Sequence, residues 1–171
     1  MIEHIEPLAV RFADDGMIPN NPRFPVLIYV RAFSPVGFDP AATAEKLLGE
    51  NRWTPQWRDG IYDFHHYHST AHETLAIAKG TVKVRLGGER GEDFDLEPGD
   101  IAVLPAGTGH KRLSQSPGLL VVGAYPPGQQ WDIMTGRPGE RPNALRNIES
   151  VPLPESDPVF GADGPLTRLW R

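Results

Sequence analysis

Four residues in two short stretches of this chain have the types and spacing of a metal-ligand set. The stretch GIYDFHHYHSTAHETLAIAKG carries His66, His68 and Glu73 between Gly60 and Gly80, and GDIAVLPAGTGH carries Gly99, Pro105 and Gly107 ahead of His110. Three imidazoles and one carboxylate are what a borderline or hard divalent ion takes while positions remain open for another ligand. Extended backbone sends alternate side chains to opposite sides, so His66 and His68 share a face that Tyr67 does not. Glu73 lies at odd spacing from both, which requires a bend, and Ser69, Thr70 and Ala71 are small enough to make one. Beyond it, Glu73, Leu75 and Ile77 alternate with Thr74 and Ala76 as a strand running to a turn at Lys79-Gly80. His72 is the alternative to Glu73, because a shift of one residue would exchange them; the spacing favours Glu73. His65 is expected to face away from His66, and His4 to lie at the surface.

The two stretches resemble the signature motifs of the cupin superfamily at every usual landmark but the last, where Asn is common and Ser114 stands here. FHHYHSTAHE, VRLGGERG, LPAGTGHKRL and VVGAYPPGQQWD resemble, more closely, the bacterial single-domain cupins typified by YjlB, over roughly residues 20–170. That resemblance implies an all-β fold, a double-stranded β-helix or jelly-roll barrel. It also implies one divalent ion in the barrel mouth, held by His66, His68, Glu73 and His110. The ligand set does not choose among Mn, Fe, Ni, Co and Zn. Nor does the fold choose a reaction, since cupins host dioxygenases, isomerases, decarboxylases and plain binding proteins. The expectation is a metal-dependent enzyme acting on a small polar or carboxylate-bearing metabolite, with a non-catalytic binding or sensing protein as the alternative.

Candidates for handling a small-molecule ligand are fewer. Arg112 shares parity with His110 and would face the pocket, where a guanidinium suits a carboxylate. Tyr67 and Tyr62 are candidate hydrogen-bonding or acid/base groups. Gln129, Gln130 and Asp132 follow the last apolar run on a loop that can cap the mouth.

The rest of the chain must position these groups. Its 171 residues, 39% of them hydrophobic, suit one domain over 1–171: a core barrel at about 60–125, an N-terminal extension at 1–59 and a C-terminal wrap at 126–171. No cysteine is present, which excludes disulfides, thiol nucleophiles and Cys-type zinc sites. A net charge of -5 argues against a nucleic-acid partner. Acids near the N-terminus and apolar runs no longer than PVLIYV or GLLVVGAY argue against a signal peptide or membrane span, so a cytoplasmic protein is expected.

Pro7–Phe12 and Pro25–Phe33 read as strands. Asp39, Pro40 and AATAEKLL read as a capped N-terminal helix ending at Gly49. Trp53 and Trp57 are expected to pack between that helix and the barrel. Between Gly80 and Ala124, alternating apolar residues broken by Gly87-Gly88 and Pro98-Gly99 read as a series of short antiparallel strands. The Pro- and Gly-rich segment after Tyr125 is expected to wrap the barrel through Trp131, Ile133, Leu153, Val159, Phe160, Leu166 and Trp170, with a weak helical signal at 143–149. PVLIYV and the sheet edges suggest a homodimer.

Overall fold

The computed structural model describes residues 5–171, and His4 lies outside the described residues. The architecture is mostly β, in two antiparallel sheets with few helices. The strands are β1 (Leu8–Val10), β2 (Val26–Tyr29), β3 (Gln56–Asp59), β4 (Glu73–Lys79), β5 (Val82–Leu86), β6 (Glu92–Leu96), β7 (Ile101–Leu104), β8 (His110–Gln115) and β9 (Leu120–Ala124). One sheet has the order β1-β2-β7-β4-β9-β3 and the other β6-β5-β8.

Alternation assigns the two faces of the larger sheet. Val26, Ile28, Leu75, Ile77, Ala102, Leu104 and Val121 point inward, where they meet Val82, Val84, Leu86 and Leu96 of the smaller sheet. Leu27, Tyr29, Ala76, Ile101, Val103 and Val122 point outward, into a second apolar layer. Each Leu or Ile buried this way contributes roughly 1.5–3 kcal/mol. A sheet covered on both faces explains why IAVL and VLIY are continuous apolar runs, whereas VKVRL, with one open face, alternates.

The outer layer is closed by helix α1 (Pro40–Glu50) and by residues near the C-terminus. Ala41, Ala44 and Leu48 bury one stripe of α1, with Pro40 at its first turn. Asp39 makes no capping hydrogen bond; its carboxylate takes two from Arg58, at 2.9 and 3.0 Å. The helix continues past Gly49 to Glu50, and Arg52 (φ +66°) supplies the left-handed residue of its exit. Trp53 packs in this layer and donates to the Ser156 carbonyl at 3.0 Å.

Buried Asp157 accepts the backbone N–H groups of Val159, Phe160 and Leu166 and the Tyr29 hydroxyl, and Trp170 stacks on Phe24 at 5.3 Å. Two helices, α2 (Asn143–Ser150) and α3 (Pro165–Leu169), punctuate this segment. Val159, Leu166 and Trp170 are buried, whereas Trp131, Ile133 and Leu153 are substantially exposed. PVLIYV is not an open edge: β2 is paired with β1 on one side and β7 on the other. Among the described residues no helix is long and apolar enough to cross a membrane.

Candidate metal centre

The site forms where the two sheets meet at one end. Glu73 opens β4 of the larger sheet and His110 opens β8 of the smaller one. The segment 66–68 bridges them. His66 and His110 exchange backbone hydrogen bonds of 3.2 and 2.9 Å, and the Gly107 N–H donates to the His68 carbonyl at 2.8 Å. Gly107 turns the chain at φ +95°, where a Cβ would stand 2.6 Å from the Asn20 carbonyl oxygen. A side chain there would displace the loop that delivers His110.

His66, His68 and His110 are all buried, with ligand atoms within 4.8 Å of one another. Each Nδ1 meets a backbone carbonyl: Phe64 for His66 at 3.1 Å, Thr108 for His110 at 2.9 Å, and Asp132 for His68. A carbonyl only accepts, so each Nδ1 carries its proton and Nε2 is the atom turned towards the shared point. This is how ligating histidines are oriented from behind. The Glu73 carboxylate stands 2.9 Å from His68 Nε2 and 3.5 Å from His110 Nε2. Burial and neighbouring His110 push His66 down to about 3, keeping it neutral. Burial disfavours charge on His68 too, but Glu73 outweighs it and raises that imidazole to about 9. Burial disfavours charge on Glu73 as well, but His68 and His110 outweigh it and pull its carboxyl well below the usual carboxylate range. Three buried histidines so arranged could bind a metal ion.

The neighbouring candidates separate cleanly. His72 points to the outer layer, its Nδ1 accepting the Ala106 N–H at 2.9 Å and its ring 4.9 Å from that of Trp170. His65 turns away from the cluster, 2.7 Å from the Glu89 carboxylate. Tyr67, a candidate for the chemistry, is not brought to the cavity: it is buried on the far side and donates to Glu140 at 3.0 Å. Arg112 and Tyr62 do line the cavity. Gln129 and Asp132 are occupied by the scaffold. Gln129 joins the His72 N–H to the Pro152 carbonyl, and the Asp132 carboxylate accepts both the N–H and the hydroxyl of Ser69.

Three aromatic residues of the cavity escaped the sequence reading. Tyr125 stands beside Glu73, and burial together with that carboxylate raises its phenol far above the usual range, so it remains a neutral donor. Trp57, expected beside the helix, instead faces the cavity and donates to the Tyr125 hydroxyl at 2.8 Å. Trp131, not its polar neighbours, is the loop residue at the mouth. The parity of Tyr125 with Val121, two alternations back, was a usable signal. With the histidines and Glu73 these rings enclose about 580 Å³, within the range of small-molecule sites.

Residues 58–122 match the cupin domain. The chain is 41% identical over 159 residues to "Uncharacterized protein YjlB" of Bacillus subtilis, covering 93% of each. Among solved structures it is similar to a DUF861 family protein of Thermotoga maritima, with 27% identity over 58% of this chain and 96% of that one and a TM-score of 0.35. An acireductone dioxygenase of Bacillus anthracis, with a cadmium ion in its active centre, is 14% identical over 64% of this chain and 82% of that one, with a TM-score of 0.43.

Proposed function

Because the chain belongs to the cupin family, we propose that it is a metal-dependent cupin enzyme acting on a small polar or carboxylate-bearing metabolite, of dioxygenase, isomerase or decarboxylase type. In this reading His66, His68, Glu73 and His110 hold one divalent ion, and the two sheets are the halves of a double-stranded β-helix. The carrying observation is that three buried imidazoles, each tied through Nδ1 to a carbonyl, turn Nε2 towards one point beside Glu73. The donor set fits Mn, Fe, Ni, Co or Zn. Once bound, the ion would supply Lewis-acid polarisation or activation of water or dioxygen.

The chain's own residues would do the remainder. Asp132 and Ser69 hold His68 and the mouth loop in register. Tyr125, kept neutral and held by Trp57, fixes the cavity wall beside Glu73. The aromatic walls limit access of water. The test is elemental analysis of protein purified without a chelating tag, followed by turnover assays chosen by the metal found. Near one ion per chain supports this reading, and none after reconstitution removes it.

Tyr67 faces away from the cavity, which removes one of two acid/base candidates and favours, as a second reading, a binding or sensing cupin without turnover. Metal and ligand binding with no product across a broad substrate screen would select it. The same proposal takes 1–171 as one cytoplasmic domain forming a homodimer. Open edge strand β1, with Leu8 half exposed, is the pairing element. A monomer mass in light scattering would end that part.

A further inference from the structure

The wall above the histidines is built from rings held in fixed attitudes. Trp57 and Tyr125 are joined by their 2.8 Å hydrogen bond, and Trp57 lies against Gly123, where a Cβ would fall 2.0 Å from the indole. Trp131 stands 20° from parallel to Tyr125, with centroids 6.4 Å apart, and both rings approach His68, at 6.0 and 6.2 Å. Tyr62 adds a further ring 5.1 Å from His66. Trp131 and Tyr62 are 48% and 50% exposed; Phe64 stacks on one face of Tyr62 at 4.9 Å, and the remaining ring surface is open to an incoming molecule.

The two guanidinium groups that reach this cavity differ. Arg58 is fully engaged by Asp39 and Glu45. Arg112 donates through Nη1 to Gln115, while Asp63 stands 3.8 Å from Nη2. Its Nε and Nη2 have no acceptor at hydrogen-bond distance among the described residues, so Arg112, although ion-paired with the exposed Asp63 at the cavity wall, keeps donors that an anion can engage. Buried Glu73 at the floor repels a carboxylate, which directs such a group to the Arg112 side.

We propose that the cavity binds a flat, ring-bearing carboxylate, with its ring against Trp57, Tyr62, Tyr125 and Trp131, its carboxylate on Arg112, and a ring oxygen directed at the His66–His68–Glu73–His110 cluster. The oxygen contact rests on the metal reading above; the ring and carboxylate contacts do not. Aromatic faces reward a planar π surface through offset and edge contacts that a saturated ring of similar size cannot make.

The test is calorimetric titration of manganese-loaded and metal-stripped protein with salicylate, benzoate, cyclohexanecarboxylate, phenol and malonate, with metal content measured on the same samples. Benzoate is expected to bind about fivefold more tightly than cyclohexanecarboxylate. Salicylate should gain over benzoate only in the loaded protein. Arg112→Gln should weaken benzoate about tenfold and leave phenol unchanged. Trp131→Ala should narrow the gap between benzoate and cyclohexanecarboxylate. Both positions are solvent-accessible, and unchanged melting temperatures verify that the variants fold.

The proposal is overturned if cyclohexanecarboxylate or malonate binds as tightly as benzoate, if Arg112→Gln has no effect, or if none of the five binds at millimolar concentration. A protein that takes up no metal yet prefers benzoate loses the metal reading alone. A loaded protein without ring preference loses this inference alone.

Discussion

His72 and Glu73 are neighbours in the chain and inhabit different chemistry. Glu73 points between the sheets, against two histidines; His72 points through the same sheet into a layer built from Phe24, Trp170 and the residues under α1. Both are buried and both can bind metal in other settings. What separates them is what surrounds each side chain. The inner face gathers three imidazoles and a carboxylate around one point, whereas the outer face gives His72 a backbone donor and two aromatic rings. A buried polar residue becomes a site through the company of other buried polar residues.

The largest effect that would break this contrast is loss of metal from inner-face variants. Glu73→Ala and His110→Ala should each take occupancy from near one ion per chain to near zero by elemental analysis, while His72→Ala keeps it. Metal lost from His72→Ala would place the functional face on the wrong side of the sheet.

Next in size is stability. His72→Ala opens a cavity and leaves the Ala106 N–H without its acceptor, at a cost of about 2–4 kcal/mol in denaturant unfolding.

Acidity sharpens the same point. Burial pushes His72 down to about 3 from its ordinary 6.5. The unfolded chain therefore takes up the proton first, and native stability should fall as pH drops from about 6.5 towards 3. Urea midpoints across that window would show it, and His72→Phe should flatten the slope relative to wild type.

The smallest expected change concerns the inner face alone. Asp132→Ala frees the loop whose carbonyl orients His68, and should weaken metal affinity about tenfold in competition with a chelator, with little change in melting temperature.

The spacing of His66, His68, Glu73 and His110 could be read from the sequence because strand alternation, a short bend and a glycine turn are local matters. Tyr125 and Trp57 could not be placed as easily. Tyr125 reaches Glu73 because β9 pairs with β4, aligning Ala124 with Thr74, and Trp57 reaches Tyr125 because β3 pairs with β9. Those pairings join residues about fifty or more positions apart, and apolar runs alone do not specify them. PVLIYV reads as a strand that could pair across a dimer, because its pattern says buried without naming the neighbour that buries it, which is β1 on one side and β7 on the other. Asp39 had the residue type of a cap, but Arg58 offered its carboxylate a paired, charged alternative. Asp132 was a candidate for the ligand because it lies on a loop that can cap the mouth. Its neighbour Trp131 takes that place, since the Asp132 side chain is turned inward to Ser69.

The bare position at Gly123 beneath the Trp57 indole constrains how ligand preference can drift over generations. Any side chain added there would strike the ring, so the wall cannot creep inward by small steps at that point. Shrinking Trp57, by contrast, removes the donor to the Tyr125 hydroxyl and uncovers the space above the glycine. The two positions must therefore change in a fixed order, with Trp57 giving way before any side chain at Gly123 is accepted.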